Sequence, residues 1–252
     1  MIRYDEPLSR AAVWSRRLAL FALPVTAMGI VFARFGDGDE IKVLSGVMAG
    51  LFLAALAVVL AVGAFVVIWV RGDRGGRHAS MGFLLGLMLL AYPAFVMVRG
   101  IGLPPLTDIT TDVANPPRMT VALIERKSYE NEVEYPGERY AIRQLSSYPD
   151  ITPILLDLPI ADVHALTLDV MRQRGWRIAS GADLLPSNEM QVEAVATTPL
   201  MGFKDDVVVR LQSQQRGTRV DIRSSSRLGD RDFGANADRV RALLAELRQA
   251  GR

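Results

Sequence analysis

The sequence predicts an α+β protein in two parts. Three N-terminal transmembrane helices come first, followed by a C-terminal antiparallel sheet with two helices packed on one face. Three observations lead there. The first 100 residues hold three long apolar runs. Residues 188–224 contain apolar and polar side chains alternating at the two-residue period of strands. Residues 159–174 and 237–249 repeat apolar side chains at helical spacing.

The apolar runs are Leu18–Ala33, Val43–Val70 and Ala79–Val98, and the last two carry no charge. A helix needs ~20 apolar residues to cross the hydrocarbon core. The first run is the shortest and gains length from Val13, Trp14 and Phe35. It has the basic start of a signal peptide. No small-x-small cleavage site follows Ala33, however, and two more spans come after it, so it reads as a retained anchor.

Basic residues favour the cytoplasmic side. The tail carries Arg3, Arg10, Arg16 and Arg17, and the second loop carries Arg71, Arg74 and Arg77. Arg34 and Lys42 of the first loop are diluted by Asp37, Asp39 and Glu40. This pattern predicts a multi-pass protein of a bacterial inner membrane, with its N-terminus cytoplasmic and its C-terminal domain periplasmic. Trp14 and Trp69 fall at the cytoplasmic interface, where indoles prefer to sit.

Transporters and proton relays place ionisable groups at mid-depth. These spans hold none there, and their only serine and threonine hydroxyls are those of Thr26, Ser45 and Ser80. Transport by this bundle alone is thereby disfavoured. The motifs GVMAG (46–50) and GFLLG (82–86) let helix backbones approach closely. They serve either packing within the bundle, the commoner use, or homodimer formation through Gly46/Gly50 or Gly82/Gly86. Pro93 is expected to kink the third span.

Residues 1–103 hold ten Lys/Arg against six Asp/Glu, and residues 104–252 hold nineteen against twenty-one. The basic balance thus belongs to the membrane part, and the remainder lacks the electrostatic footprint of a nucleic-acid binder. The chain has no cysteine, which removes disulfides, thiolate metal sites and a lipoprotein anchor.

The chain then divides at residues 103 and 150. Residues 104–150 read as a proline-punctuated arm lying along the domain, because the paired prolines at 104–105 and 116–117 favour extended backbone. A short helix is expected near Glu138–Leu145. Residues 151–252 form the domain proper. Pro159–Arg174 is a helix with Val163, Leu166 and Val170 on one face and Gly175 as its stop. A strand begins at Trp176–Ala179, and Asn188–Thr197 is another.

Asp206–Gln212 and Thr218–Ser224 form a hairpin. Pairing Leu211 with Val220 and Val209 with Ile222 is expected to put every apolar residue on one face. The same register sets Arg210 opposite Asp221 as a surface pair of modest value. Ala237–Gln249 is an amphipathic helix with Val240, Leu243, Leu244 and Leu247 inward and Asn236 as its N-cap.

Several of these stretches recur together in one family. They are YPDI (148–151), GW (175–176), TTPLMGFKDDVVVRL (197–211) and VDIRSSSRLGDRDFGANADRVRAL (220–243). With PPLTDITTD (104–112) and YPGERYA (135–141), they resemble the domain of unknown function 1499 family, in particular its membrane-anchored bacterial members. The resemblance implies an envelope setting and carries no accepted activity. Some relatives begin the domain near a cysteine, and none is present to take a role here.

The densest polar region joins Asp205 and Asp206 at the hairpin entrance to Arg223, Arg227, Asp230 and Asp232 at its exit. Register brings Asp206 near Ser225, so both clusters are expected to meet at one sheet end. The plain reading is an Arg/Asp network with helix capping. The functional reading is a site for a polar envelope ligand, such as a lipid headgroup or glycan, or for a protein partner, with Arg223 and Arg227 gripping phosphate or carboxylate.

A hard-cation site at the four aspartates fits no EF-hand spacing, and no metal or other cofactor is expected. A hydrolase using these aspartates on an envelope polymer or lipid is the alternative function. No catalytic residue is assigned: His164 sits among ordinary helix positions, the serines lack a nucleophile elbow, and nothing marks a sugar cleft.

Overall fold

The computed structural model describes residues 6–35, 40–179 and 188–251, without the side chains of residues 40–43. Arg3, Asp37 and Asp39, and the side chains of Glu40 and Lys42, which enter the charge argument, lie outside the described residues. The chain forms two compact units, Met1–Arg99 with Leu200–Gly202, and Gly100–Pro199 with Phe203–Arg252.

The first unit contains α1 (Arg10–Phe35), α2 (Glu40–Arg71) and α3 (Gly76–Arg99). All three are long and apolar enough to cross a membrane. Their buried positions, small residues apart from Val47, come at alternating spacings of three and four. In α1 these are Ala12, Ser15, Ala19, Ala22, Thr26 and Gly29. In α2 they are Val47, Gly50, Ala54, Ala57, Ala61 and Ala64, and in α3 Ala79, Gly82 and Gly86. A 3.5-residue period keeps one seam facing its partners, and small side chains bring the backbones together.

A Cβ on Gly50 would collide with Thr26, one on Gly82 with Ser15, and one on Gly86 with Val58 and the Ala54 carbonyl. Gly50, Gly82 and Gly86 therefore pack within one chain, while a Cβ on Gly46 would meet only Gly29, at ordinary contact distance. Ser15 Oγ donates to the Ala57 carbonyl at 2.8 Å, tying α1 to α2. At one end of the bundle, Ser9 N–H donates to the Arg74 carbonyl and Arg74 N–H to that of Pro7. α3 runs through Pro93 without a break.

The second unit contains β1 (Asp108–Thr110), α4 (Val121–Glu125), α5 (Glu138–Ser147), β2 (Ile154–Leu156), α6 (Ile160–Gln173), β3 (Arg177–Ala179), β4 (Glu189–Thr197), β5 (Lys204–Gln214), β6 (Gly217–Ser226) and α7 (Ala235–Ala250). The sheet is antiparallel in the order β1-β6-β5-β4-β3, and β2 pairs with β6 beyond β1. The hairpin register is the expected one, with Leu211 opposite Val220, Val209 opposite Ile222 and Arg210 opposite Asp221.

One face is the main core. Val207, Val209, Leu211, Val220 and Ile222 meet Val163, Val170 and Met171 of α6 and Val240, Leu243, Leu244 and Leu247 of α7. Leu106, Ile109, Tyr148 and Ile151 complete it. The other face is covered as well, which corrects the expectation that all hairpin apolar residues share a side. Val208 points away from the main core and packs against Met119, Ala122 and Val133. The three consecutive valines at 207–209 are legible in hindsight as a strand apolar on both faces.

At the edge of the sheet, α5 holds β1 by side chains. Tyr140 Oη accepts the N–H groups of Thr107 and Asp108. Gln144 Oε1 accepts Thr110 N–H at 3.1 Å, while its Nε2 donates to the Thr110 carbonyl at 2.6 Å.

The start of α7 corrects a second expectation. Asn236 is inside the helix and fully buried, not its cap. Asp232 does the capping, accepting the N–H groups of Gly234 and Asn236 at 2.8 Å each. The Asn236 side chain instead ties helix to sheet. It donates to the Thr107 carbonyl at 2.9 Å and to Ser226 Oγ at 2.8 Å, and accepts from Ser224 Oγ at 2.7 Å.

Candidate functional site

Successive strand residues point to opposite faces. Asp205 and Asp206 are neighbours in β5, so they cannot serve one site. The structure divides the predicted cluster between the two faces of the sheet end, and the expectation of a single convergence is corrected on that ground.

On the helix face, Asp205 pairs with Arg239 of α7. Arg239 also donates to Ser224 Oγ at 2.9 Å and to Asn236 Oδ1 at 2.5 Å. Asp232 lies on this side. Burial pushes its carboxyl above the ordinary range, while the backbone N–H groups of Asn236 and Gly234 pull the other way and the Asp205 charge adds to the rise. Tyr148 Oη is buried nearby and has no hydrogen-bond partner among the described residues.

On the other face, Asp206 holds two guanidinium groups. Arg126 Nε donates to it at 2.8 Å and Arg227 Nη2 at 2.6 Å. Arg227 Nη2 also reaches Glu125 at 3.0 Å, which in turn pairs with Arg177 at 2.5 Å. The Arg177 and Arg227 charges hold the Glu125 carboxyl below its usual range. Arg126 donates further to the carbonyls of Asn131, Glu132 and Ser225.

Arg223 grips Asp108 through two bonds of 2.9 and 2.7 Å and donates to the carbonyls of Pro117 and Val133. Farther along the strands, Arg210 and Arg219 share Asp112 and Asp221. The Arg210–Asp221 pair is buried, with Asp221 fully so, which corrects its reading as a surface pair. Asp230 sits exposed on the loop after β6 and is not drawn into either group.

The arrangement has a common physical function. Segment 111–134 has little regular structure, and its backbone carbonyls need donors. Arg223 on the sheet and Arg126 within the segment supply donors to some of them, while buried carboxylates neutralise the arginines. Glu193 does the converse, accepting Thr120 N–H, Thr120 Oγ1 and Val121 N–H. Sequence reasoning missed Asp108, Asp112, Glu125, Arg126, Glu193 and Arg239. Glu189 and Glu193, and likewise Asp206 and Arg210, stand four residues apart on one strand face and were a usable signal for a second, covered face.

One open space lies against Asp108, the partner of Arg223. A cavity of about 350 Å³ is lined by Thr107, Asp108, Asn131, Glu132, Glu134, Tyr135 and Ser225, among others. Burial raises the Tyr135 hydroxyl's pKa and keeps it neutral, and it donates to Gln144 at 3.2 Å. No group of His, Asp or Glu suited to a metal ion occurs among the described residues.

Residues 108–247, more than half of the chain, match the family described as Protein of unknown function (DUF1499). The chain belongs to that family. The match opens at the first residue of β1 and closes within α7, so the DUF1499 domain takes in the segment carrying β1, α4 and α5 as well as the later strands and helices. Both faces of the sheet, with both arginine networks, are therefore parts of the DUF1499 domain. No curated protein and no solved structure matches the chain.

Asp232 gives the DUF1499 domain a pH signature. Its folded pKa is raised, so the folded state binds the proton more tightly than the unfolded one. That contribution is fully present below the unfolded value of about 3.8 and is lost as pH rises through the raised folded value. The expected result is that the unfolding midpoint of the full-length protein, minus that of Asp232→Asn, falls as pH goes from about 4 to about 7. A flat difference contradicts the burial argument.

Proposed function

We propose that this chain is a multi-pass protein of the bacterial inner membrane. Its DUF1499 domain lies on the periplasmic side and works there as a non-enzymatic module that binds a polar envelope ligand or a protein partner. The observation that carries the binding reading is the cavity against Asp108. Its walls are fixed by Arg223 and Arg126 from behind, and its mouth carries the exposed carboxylates of Glu132 and Glu134. A preformed hollow with a few placed polar groups is the usual form of a ligand site. Acidic walls favour an amine-bearing ligand.

Of the six residues picked out from the sequence, Arg223 lies nearest this role, through Asp108. Asp206 and Arg227 belong to the neighbouring network through Arg126, Asp205 and Asp232 lie on the helix face, and Asp230 stays a surface residue. The hydrolase reading has less support. Asp205 and Asp206 face opposite ways and each is already bound to guanidinium groups, which disfavours a free base or nucleophile.

Because the chain has no cysteine, single cysteines test the placement directly. In intact spheroplasts, Glu132→Cys should react with a membrane-impermeant maleimide and Arg74→Cys only after lysis. The reverse pattern overturns the orientation. For binding, ethanolamine and putrescine should raise the unfolding midpoint of the full-length protein, and less so in Glu132→Gln/Glu134→Gln. Equal shifts in both proteins remove the cavity from consideration.

A further inference from the structure

We infer that α4 is a bilayer-contacting tip, and that the buried charge network on the second face of the sheet is the pedestal that holds it out. The inference rests on membrane anchoring alone, not on the ligand proposed for the cavity.

Leu123 and Ile124 are consecutive aliphatic residues, 65% and 86% exposed. Flexible loops often carry such residues, but this turn is fixed on every side. Ala122 is packed under Val208. Glu193 accepts the N–H groups of Thr120 and Val121 at the start of the turn. At its end, Glu125 is held by Arg227, and Arg126 by Asp206 and the Ser225 carbonyl. A rigid mount that presents two large aliphatics to water leaves apolar surface uncovered, and such surface marks a contact.

The occupant follows from where the chain enters the domain. The segment after α3 arrives at the same sheet end that holds Arg126 and Glu125: the Thr107 carbonyl accepts Ser226 N–H, and the Leu106 carbonyl accepts Asp232 N–H. Seven residues, and so eight Cα–Cα steps, lie between Arg99, the last of α3, and Thr107. Fully extended, that tether reaches no more than about 28 Å. The sheet end that mounts α4 is thus the end at which the chain enters from α3.

Its neighbours suit that surface. Lys127 lies 5.5 Å from the centre of the Tyr129 ring, and Arg118 is exposed. A tyrosine with flanking cations around inserted aliphatics is the composition of an interfacial anchor. Glu130 is turned back on the Lys127 N–H, away from that role.

Leu155 provides an internal control. It is 55% exposed, but it sits opposite Arg219, six residues along β6 from Ser225 and so about 20 Å away. Full-length Ile124→Cys and Leu155→Cys would each be labelled with an environment-sensitive fluorophore and reconstituted into phosphatidylcholine/phosphatidylglycerol nanodiscs. A share of the lipid would carry a nitroxide on the upper acyl chain. The expected result is at least two-fold stronger quenching at 124 than at 155, with a blue-shifted emission at 124 only. Equal quenching at the two sites overturns the inference, and the tip then stands as a surface for a soluble protein. Both positions are solvent-facing, so labelling leaves folding intact, which the unfolding midpoint of each labelled protein verifies.

Discussion

Asp206→Ala is expected to destabilise the full-length protein by roughly 3–5 kcal/mol, because removing one partner of a buried ion pair leaves charge behind without compensation. Here it leaves two. Arg126 and Arg227 are almost fully buried and both converge on this one carboxylate. Arg227 keeps Glu125, while Arg126 keeps only neutral carbonyls. The α4 turn should loosen with it. Chemical unfolding in detergent micelles measures the loss, and Arg241→Ala serves as the comparison. The Arg241–Asp150 pair is 38% and 54% exposed, and pairs of that kind contribute well under ~1 kcal/mol. Similar small losses for both variants would show that water enters the Asp206 network and screens it.

Asp221→Ala is expected to cost a comparable amount, again roughly 3–5 kcal/mol. Its carboxylate is fully buried and is shared by Arg210 and Arg219. It also accepts Thr111 Oγ1–H, so the truncation breaks three interactions at once. Arg210 is the more affected partner, since its Nε already has no acceptor among the described residues. Arg219 is over a third exposed and can turn to water. Adding Arg210→Met to Asp221→Ala should recover part of the loss, because an apolar side chain of similar length needs no counter-charge. Failure to recover any would mean that the cost lies in the Thr111 bond and not in the charge.

The Asp221 case shows what the sequence could and could not convey. The register that pairs it with Arg210 was legible, since only one alignment of 206–212 against 218–224 stacks Val209 on Ile222 and Leu211 on Val220. Its burial was not. Burial depends on segment 111–120 crossing the second face, and that segment has no periodicity to read, only a proline pair. The helices at 160–173 and 235–250 were legible because their apolar faces repeat locally. β1 and β2, at three residues each, are too short for a pattern.

Asn236 was misassigned for a related reason. A capping residue and a buried bridging residue look alike when the sheet they face is absent from the argument. The polar stretch from Arg223 to Arg239 was correctly located as dense. That its members part to opposite sides follows from strand geometry, which was available from the start and outweighs proximity in sequence.

The grip of α5 on β1 bears on how such a domain survives its surroundings. Copies anchored in one membrane meet each other in two dimensions at high local density, and an unpaired strand end is a template for cross-pairing. The carboxamide of Gln144 presents to Thr110 one acceptor and one donor, the same pair of groups a neighbouring strand would offer. One side chain thus occupies, at Thr110, the hydrogen-bonding groups of the β1 edge that a second molecule would otherwise take up.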